Sequence, residues 1–88
     1  MKIKSGFVLE KVGNGYLAVA VGERAKDFSG LVRMNETGAF FWNIMAEKDV
    51  SREELLAAVR GEYEVSEEEA LADIDKFVEN LRDGGILA

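Results

Sequence analysis

The sequence predicts an α+β domain in which a three-stranded antiparallel sheet is followed by three helices. Up to residue 34, apolar segments with strand-like composition are separated by turn signals and a polar loop. From residue 36 onward, apolar residues recur every three or four positions, as they do along helices. A chain of 88 residues has the size of one domain, so we expect a single domain over residues 1–88.

The three strands are predicted at residues 7–12, 16–21 and 31–34. The first is rich in β-branched and apolar residues, and Gly13-Asn14-Gly15 is a strong turn signal because glycine and asparagine tolerate positive φ. The first two strands therefore form a hairpin. A polar loop from Gly22 to Gly30, with Phe28 as its one residue of a usually buried type, leads to the short third strand.

The three helices are predicted at residues 36–47, 51–61 and 66–83. Asn35 is a good N-cap for the first, Ser51 with Glu54 forms a capping box for the second, and Ser66 caps the third. Gly84-Gly85 ends the third helix, and the apolar tail 86–88 could pair with a sheet edge.

The predicted core comes mainly from the first and third of these helices. Its members are large apolar residues at helical spacing, namely Phe41, Trp42, Ile74, Val78 and Leu81. On a helical wheel of residues 66–83 the core centre also includes Leu71. Ala70, Phe77 and Asp73 lie progressively to one side of that centre, so this flank grades from apolar to acidic.

The composition argues against catalysis and against metal binding. The chain has no histidine and no cysteine, so the usual general base, the thiolate nucleophile and the common zinc ligands are missing. The run Glu67-Glu68-Glu69 occupies a first helical turn, where negative charge is favoured. We therefore expect no enzymatic activity, no cofactor and no metal. Without cysteines, a secretory signal or a long apolar run, the chain is expected to be cytoplasmic.

A winged helix-turn-helix arrangement with DNA-binding function is one interpretation of three strands and three helices. The third helix would then enter a major groove, but it carries seven acidic residues and only two basic ones, Lys76 and Arg82. The whole chain has a net charge of −6. Such a helix would repel phosphates, so we keep the DNA-binding regulator as the less favoured alternative.

Peptide binding by strand addition is the second interpretation. A three-stranded sheet has open edges, and an extended peptide can satisfy the unpaired backbone groups of an edge strand. The short strand Leu31 to Met34 is the candidate edge, and the flank of the third helix with Ala70, Asp73 and Phe77 is the candidate wall of a groove. The alternative for Ala70 and Phe77 is that they simply belong to the core.

The sequence also resembles the PqqD family, the small proteins of pyrroloquinoline quinone (PQQ) synthesis, and the related recognition elements for precursors of ribosomally made, modified peptides. The resemblance spans about residues 6–88. It rests on the junction "LVRMNETGAFFW" and on the pattern Asp-Ile-x-x-Phe-Val-x-x-Leu followed by Gly-x-Leu, carried here by Asp73, Ile74, Phe77, Val78, Leu81, Gly85 and Leu87.

The resemblance implies a non-catalytic, winged-helix-like domain that binds the leader segment of a precursor peptide and presents it to a modifying enzyme, often a radical SAM protein. It implies that the leader adds to the third strand and lies against the third helix. The peptide-binding residues would be Leu31, Val32, Arg33, Met34, Ala70, Asp73 and Phe77. The chain has no proline and a long charged loop at 22–30, so PQQ and other peptide pathways both stay open. A homodimer through the unfilled edge is a further expectation.

Overall fold

The structure is a computed structural model that describes residues 1–27 and 31–88, without the side chains of Asp27 and Leu31. The expected burial of Phe28 lies outside the described residues. The elements follow the chain in the order β1 (Phe7–Val12), β2 (Gly15–Ala20), α1 (Arg24–Asp27), β3 (Leu31–Met34), α2 (Glu36–Glu47), α3 (Arg52–Glu62) and α4 (Glu67–Asp83).

The three strands form one antiparallel sheet with β2 in the middle and the spatial order β1-β2-β3. Val12 pairs with Gly15, so the hairpin turn consists of Gly13 and Asn14 alone. Gly13 has a φ of +61°, and Asn14 does not have a positive φ. Glycine with positive φ at the first central position is typical of a type II′ turn, whose twist matches that of the flanking strands. The turn signal in the sequence thus sets the hairpin register.

The sheet has one covered face and one exposed face. On the inner face Ala18 is fully buried, and its cross-strand partners Leu9 and Val32 pack against the core. On the outer face Val8 and Val12 are 41% and 54% exposed. A sheet packed on one side only explains the alternation of burial along β1.

The N-caps of the three long helices are those that the sequence predicted. The Asn35 side chain accepts a hydrogen bond from the N–H of Gly38, and Ser66 does the same for Glu69. Ser51 and Glu54 form a full capping box, because each side chain accepts from the other residue's N–H. Each cap satisfies an amide at the start of a helix that would otherwise have no partner.

The core lies between the inner face of the sheet and the three long helices. All five residues predicted for it are buried: Phe41, Trp42, Ile74, Val78 and Leu81. The expectation for Leu71 is wrong, since Leu71 is half-buried and its neighbour Ala70 is 1% exposed. The buried stripe of α4 is Ala70, Ile74, Val78 and Leu81, and its spacings of four, four and three residues rotate its centre away from Leu71.

Two further features differ from the prediction. The loop after β2 contains the four-residue helix α1, which is too short to leave a periodic signal. The C-terminal tail pairs with the N-terminal segment rather than with the sheet. Leu87 forms an isolated bridge with Ile3, and the N–H of Lys4 donates to the carbonyl of Ile86. Ile3 and Ile86 are both buried, so the two chain ends close one side of the core.

Candidate functional site

The direction of the backbone groups in β3 follows from the hydrogen-bond pattern of the sheet. Along an antiparallel strand, residues alternate in which neighbouring strand they bond to. The N–H of Val21 donates to the carbonyl of Gly6 (2.8 Å), at the position that continues the β1–β2 register. Counting in steps of two from Val21, Leu17 also bonds toward β1, whereas Ala18 bonds toward β3.

This alternation makes the outer edge of β3 a hydrogen-bonding edge. Ala18 is opposed to Val32, so the N–H and C=O of Val32 point toward β2. The backbone groups of Leu31 and Arg33 therefore point away from the sheet. No other strand in residues 1–27 and 31–88 pairs with this edge. Unpaired backbone groups along an edge are the feature that an added strand can satisfy.

A groove of about 210 Å³ runs between the end of β3 and α4. Its floor is apolar and comes from three elements, with Met34 of β3, Gly38 and Phe41 of α2, and Phe77 of α4. Its polar lining residues are Arg33, Asn35, Thr37, Asp73, Lys76 and Asn80. The apolar floor can take an apolar side chain of a ligand, while the more numerous polar residues around it can fix the orientation of that ligand.

The floor of the groove requires glycine at position 38, because a side chain there would clash with its neighbours. A Cβ at this position would lie 2.9 Å from the Cβ of Met34 and 3.4 Å from Cε1 of Phe77. The ring of Phe77 packs on Phe41, with centroids 5.6 Å apart and planes at 51°. The absence of a side chain in the first turn of α2 therefore lets Met34 of β3 and Phe77 of α4 both approach α2 closely.

The structure brings four of the seven predicted site residues into the groove: Arg33, Met34, Asp73 and Phe77. Val32 is half-buried and packs against the core, and Ala70 is a core residue. Any influence of Ala70 on a ligand is therefore indirect. For Leu31 the structure describes the backbone alone, at the start of β3.

The groove also contains residues that sequence reasoning missed. From Asp73 it continues toward the C-terminus of α4, to Lys76 and Asn80, whereas the predicted wall continued toward Ala70. Four of its residues follow the three-and-four spacing of one helix face, namely Asp73, Lys76, Phe77 and Asn80. The spacing therefore indicated the helix face but not the end of the helix toward which the groove continues. A glycine inside a predicted helix was the available signal for Gly38, since glycine is a poor helix former.

The charges around the groove have no partners among the residues that the structure describes. Arg33, Asp73 and Lys76 form no ion pair or side-chain hydrogen bond with the described part of the chain. On the opposite flank of α4, by contrast, Arg52 binds Asp75 through two hydrogen bonds of 2.7 and 2.8 Å, which lower the pKa of that carboxyl. The described charges of the groove are thus available to a ligand, whereas Arg52 and Asp75 already neutralise each other.

The charge of the chain is also unevenly divided. Residues 1–35, which carry the sheet, have six basic and three acidic residues, whereas residues 36–88 have five basic and fourteen acidic residues. The groove lies where the two parts meet, so it offers both signs of charge.

Within the described residues no group of histidine, cysteine or acidic side chains could hold a metal ion. None of their helices is long and apolar enough to cross a membrane.

Comparison with known proteins gives two matches. A solved structure of TbiB1 in complex with the TbiA(beta) leader peptide superimposes with a TM-score of 0.72 at 20% sequence identity, covering 99% of this chain and 94% of the TbiB1 chain. At that identity the likeness shows the fold. A search of curated proteins by sequence found no match. The sequence model of the family described as coenzyme PQQ synthesis protein D (PqqD) matches residues 18–87. The chain therefore belongs to the PqqD family, as its motifs predicted.

Proposed function

We propose that this chain is a non-catalytic protein that binds the leader segment of a ribosomally made precursor peptide by strand addition to β3. The observation that carries the proposal is the outer edge of β3, where the backbone groups of Leu31 and Arg33 point away from the sheet beside a groove bounded by α4. Main-chain hydrogen bonds to the edge supply affinity, and the groove supplies specificity.

The two faces of the sheet assign different roles to alternate residues of the bound peptide. Side chains on the inner face enter the groove above Met34 and Phe77, whose apolar surfaces suit an aliphatic or aromatic residue. Side chains on the outer face lie on the same side as Arg33. At the wall of the groove, Asp73 and Lys76 each favour a peptide side chain of the opposite charge.

The comparisons support this proposal in two ways. The family takes its name from PQQ synthesis, and the TbiB1 structure, whose fold this chain shares, contains a leader peptide. We extend the proposal to presentation of the peptide to a modifying enzyme, a radical SAM protein or another one, in PQQ synthesis or a different peptide pathway. The partner enzyme would supply the chemistry, and the encounter would take place in the cytoplasm, where precursors are made.

Selection from a random peptide library tests the proposal without knowledge of the natural precursor. The library is displayed on phage and selected on the immobilised chain, and the strongest peptide is then titrated by calorimetry. Amide hydrogen exchange with this peptide should protect the N–H groups of Leu31 and Arg33, because they are the outward donors of β3. Selected peptides that protect other regions and leave β3 unchanged would overturn strand addition at this edge.

Two proline variants provide a matched comparison. Arg33→Pro removes an outward N–H of β3, and Lys11→Pro removes one from the outer edge of β1 by the same alternation. We expect Arg33→Pro to abolish binding of the selected peptide and Lys11→Pro to leave it intact. Circular dichroism checks that both variants fold. Equal binding by the two variants would contradict the choice of β3.

A second copy of the chain could occupy the same edge when no peptide is present. We therefore keep the homodimer as a prediction, with the selected peptide expected to dissociate it. Light scattering over a range of concentrations, with and without the peptide, tests this point. A particle that stays monomeric under all these conditions would remove the dimer and leave the peptide site unaffected.

A further inference from the structure

A second pocket lies at the turn end of the sheet and joins the groove. We call it the hairpin pocket. It has a volume of about 410 Å³ and shares Arg33, Met34 and Asn35 with the groove. Its other lining residues come from the β1–β2 hairpin and include Val12 and Leu17. A peptide lying along the outer edge of β3 would therefore meet the hairpin pocket at the side that Arg33 forms.

The hairpin pocket combines exposed apolar surface with one basic side chain. Val12 is 54% exposed and Leu17 is half-buried, and both belong to the outer face of the sheet. Arg33 is directly opposite Leu17 in the register and lies on the same face. Its guanidinium has no carboxylate partner in the described part of the chain.

The position of the nearest acidic residue on this face decides which sign of charge a peptide residue meets. Glu10 is opposite Leu17 on the other side, two strands away from Arg33. Strands are spaced by about 4.8 Å, so an added peptide would lie about 5 Å from β3 and about 14 Å from β1. The larger distance exceeds the Debye length of about 8 Å at physiological salt. On the outer face of the described sheet, the charge of Arg33 therefore dominates at the added strand.

We propose that the Arg33 side of the hairpin pocket is a second subsite for the same peptide, which binds an acidic side chain. This inference rests on the proposed function, since it assumes a strand added to β3. A residue directly opposite Arg33 would have its Cβ about 5 Å from that of Arg33, within reach of a salt bridge. The bound segment thus alternates apolar residues facing the groove with an acidic residue on the outer face.

The test uses the phage-displayed random peptide library on three proteins: the parent, Arg33→Glu and Arg60→Glu. Arg60 is an exposed arginine of α3 outside both pockets, so the same substitution there controls for net charge. The parent and Arg60→Glu are expected to select peptides with Asp or Glu at one position relative to the apolar residues. Arg33→Glu is expected to replace that residue by Lys or Arg. Unchanged preferences on Arg33→Glu would overturn the subsite.

Titration with the best acidic peptide then measures the charge pair directly. Arg33→Gln should weaken binding about tenfold, and less than about twofold once the acidic residue of the peptide is changed to its amide, because the pair has then already been lost.

The outcomes separate this inference from the proposed function. If Arg33→Gln binds as well as the parent while Arg33→Pro does not, the peptide adds to β3 and Arg33 is not a subsite for an acidic residue. If no variant of β3 changes binding, including Arg33→Pro, the proposed function itself is wrong. A tenfold loss in Arg33→Gln that persists with the amide peptide would assign the effect to the strand rather than to a charge pair, and would also overturn the subsite.

Discussion

The two outer edges of the sheet have the same kind of backbone groups but different surroundings. On β1 the outward groups include those of Leu9 and Lys11, and on β3 they are those of Leu31 and Arg33. The edge of β1 carries Glu10 and Lys11 side by side, and charged residues protect an edge from unwanted pairing. The edge of β3 is bordered by α4, with a groove between them. We expect that exposed backbone groups let either edge pair with an added strand, and that the neighbouring helix makes binding at β3 selective.

One helix supports both sides of the sheet with adjacent residues. Trp42 of α2 packs edge-to-face against Phe7 of β1, with ring centroids 5.9 Å apart. Phe41 packs on Phe77 below the groove. Substitutions that destabilise α2 should therefore affect both edges through the core, whereas substitutions at either edge should act locally.

The largest effect is expected from Trp42→Ala, which removes a 3% exposed side chain from α2, the helix that packs behind both edges. The free energy of unfolding should fall by about 3 to 5 kcal/mol, the usual range for truncation of a large buried aromatic residue. Chemical denaturation followed by circular dichroism measures this change. A cooperative transition with an unaltered midpoint would mean that Trp42 does not support the core.

The next effect distinguishes the two sides of β3 itself. Val32→Pro removes an N–H that bonds to β2 and leaves the Ala18 carbonyl without a partner, so the free energy of unfolding should fall by about 2 kcal/mol or more. Arg33→Pro removes an outward N–H, and its effect on stability should stay below about 1 kcal/mol. Thermal unfolding of both variants provides the measurement. A larger loss of stability in Arg33→Pro than in Val32→Pro would mean that the N–H of Arg33, and not that of Val32, bonds to β2.

A smaller effect is expected from the wall of the groove. Asp73→Lys reverses a charge at the groove, and binding of a selected peptide with a basic residue should weaken by about 1 to 3 kcal/mol, the scale of a hydrogen bond to a charged group. Asp73 is exposed, so the fold should be unaffected. Glu79→Lys makes the same change on α4 outside the groove and serves as the control. Calorimetry that finds equal affinities for the two variants would exclude Asp73 from the site.

The smallest effect lies away from both edges and depends on pH. The backbone N–H and the hydroxyl of Ser51 lower the pKa of Glu54, and the Arg52 guanidinium lowers that of Asp75. A carboxyl with a lowered pKa in the folded state stabilises the fold above its unfolded pKa, and this contribution is lost as the pH falls through the folded value. Glu54→Gln should therefore lose less stability than the parent between pH 7 and pH 3. Thermal unfolding at both pH values checks this, and an identical loss would contradict it.

Local signals predicted most of the elements. Asn35, Ser51 and Ser66 each start a helix through a hydrogen bond to an amide three residues later, and all of them could be identified by type and spacing alone. The short helix α1 could not, because four residues do not show a helical period. The pairing of the chain ends at Ile3 and Leu87 could not either, since it joins residues that are far apart in the sequence.

By itself, the sequence determined the order of strands and helices, the hairpin turn, the helix caps and the acidic character of α4, because these depend on residues within a few positions of one another. The tertiary structure decided the rotation of α4, which buries Ala70 instead of Leu71, and the course of the groove toward Lys76 and Asn80. It also decided which amides of β3 face outward. The physical reason is that each of these depends on the approach of separate segments, such as Met34 and Phe77 meeting at Gly38, and their distance in space is not a local property of the chain.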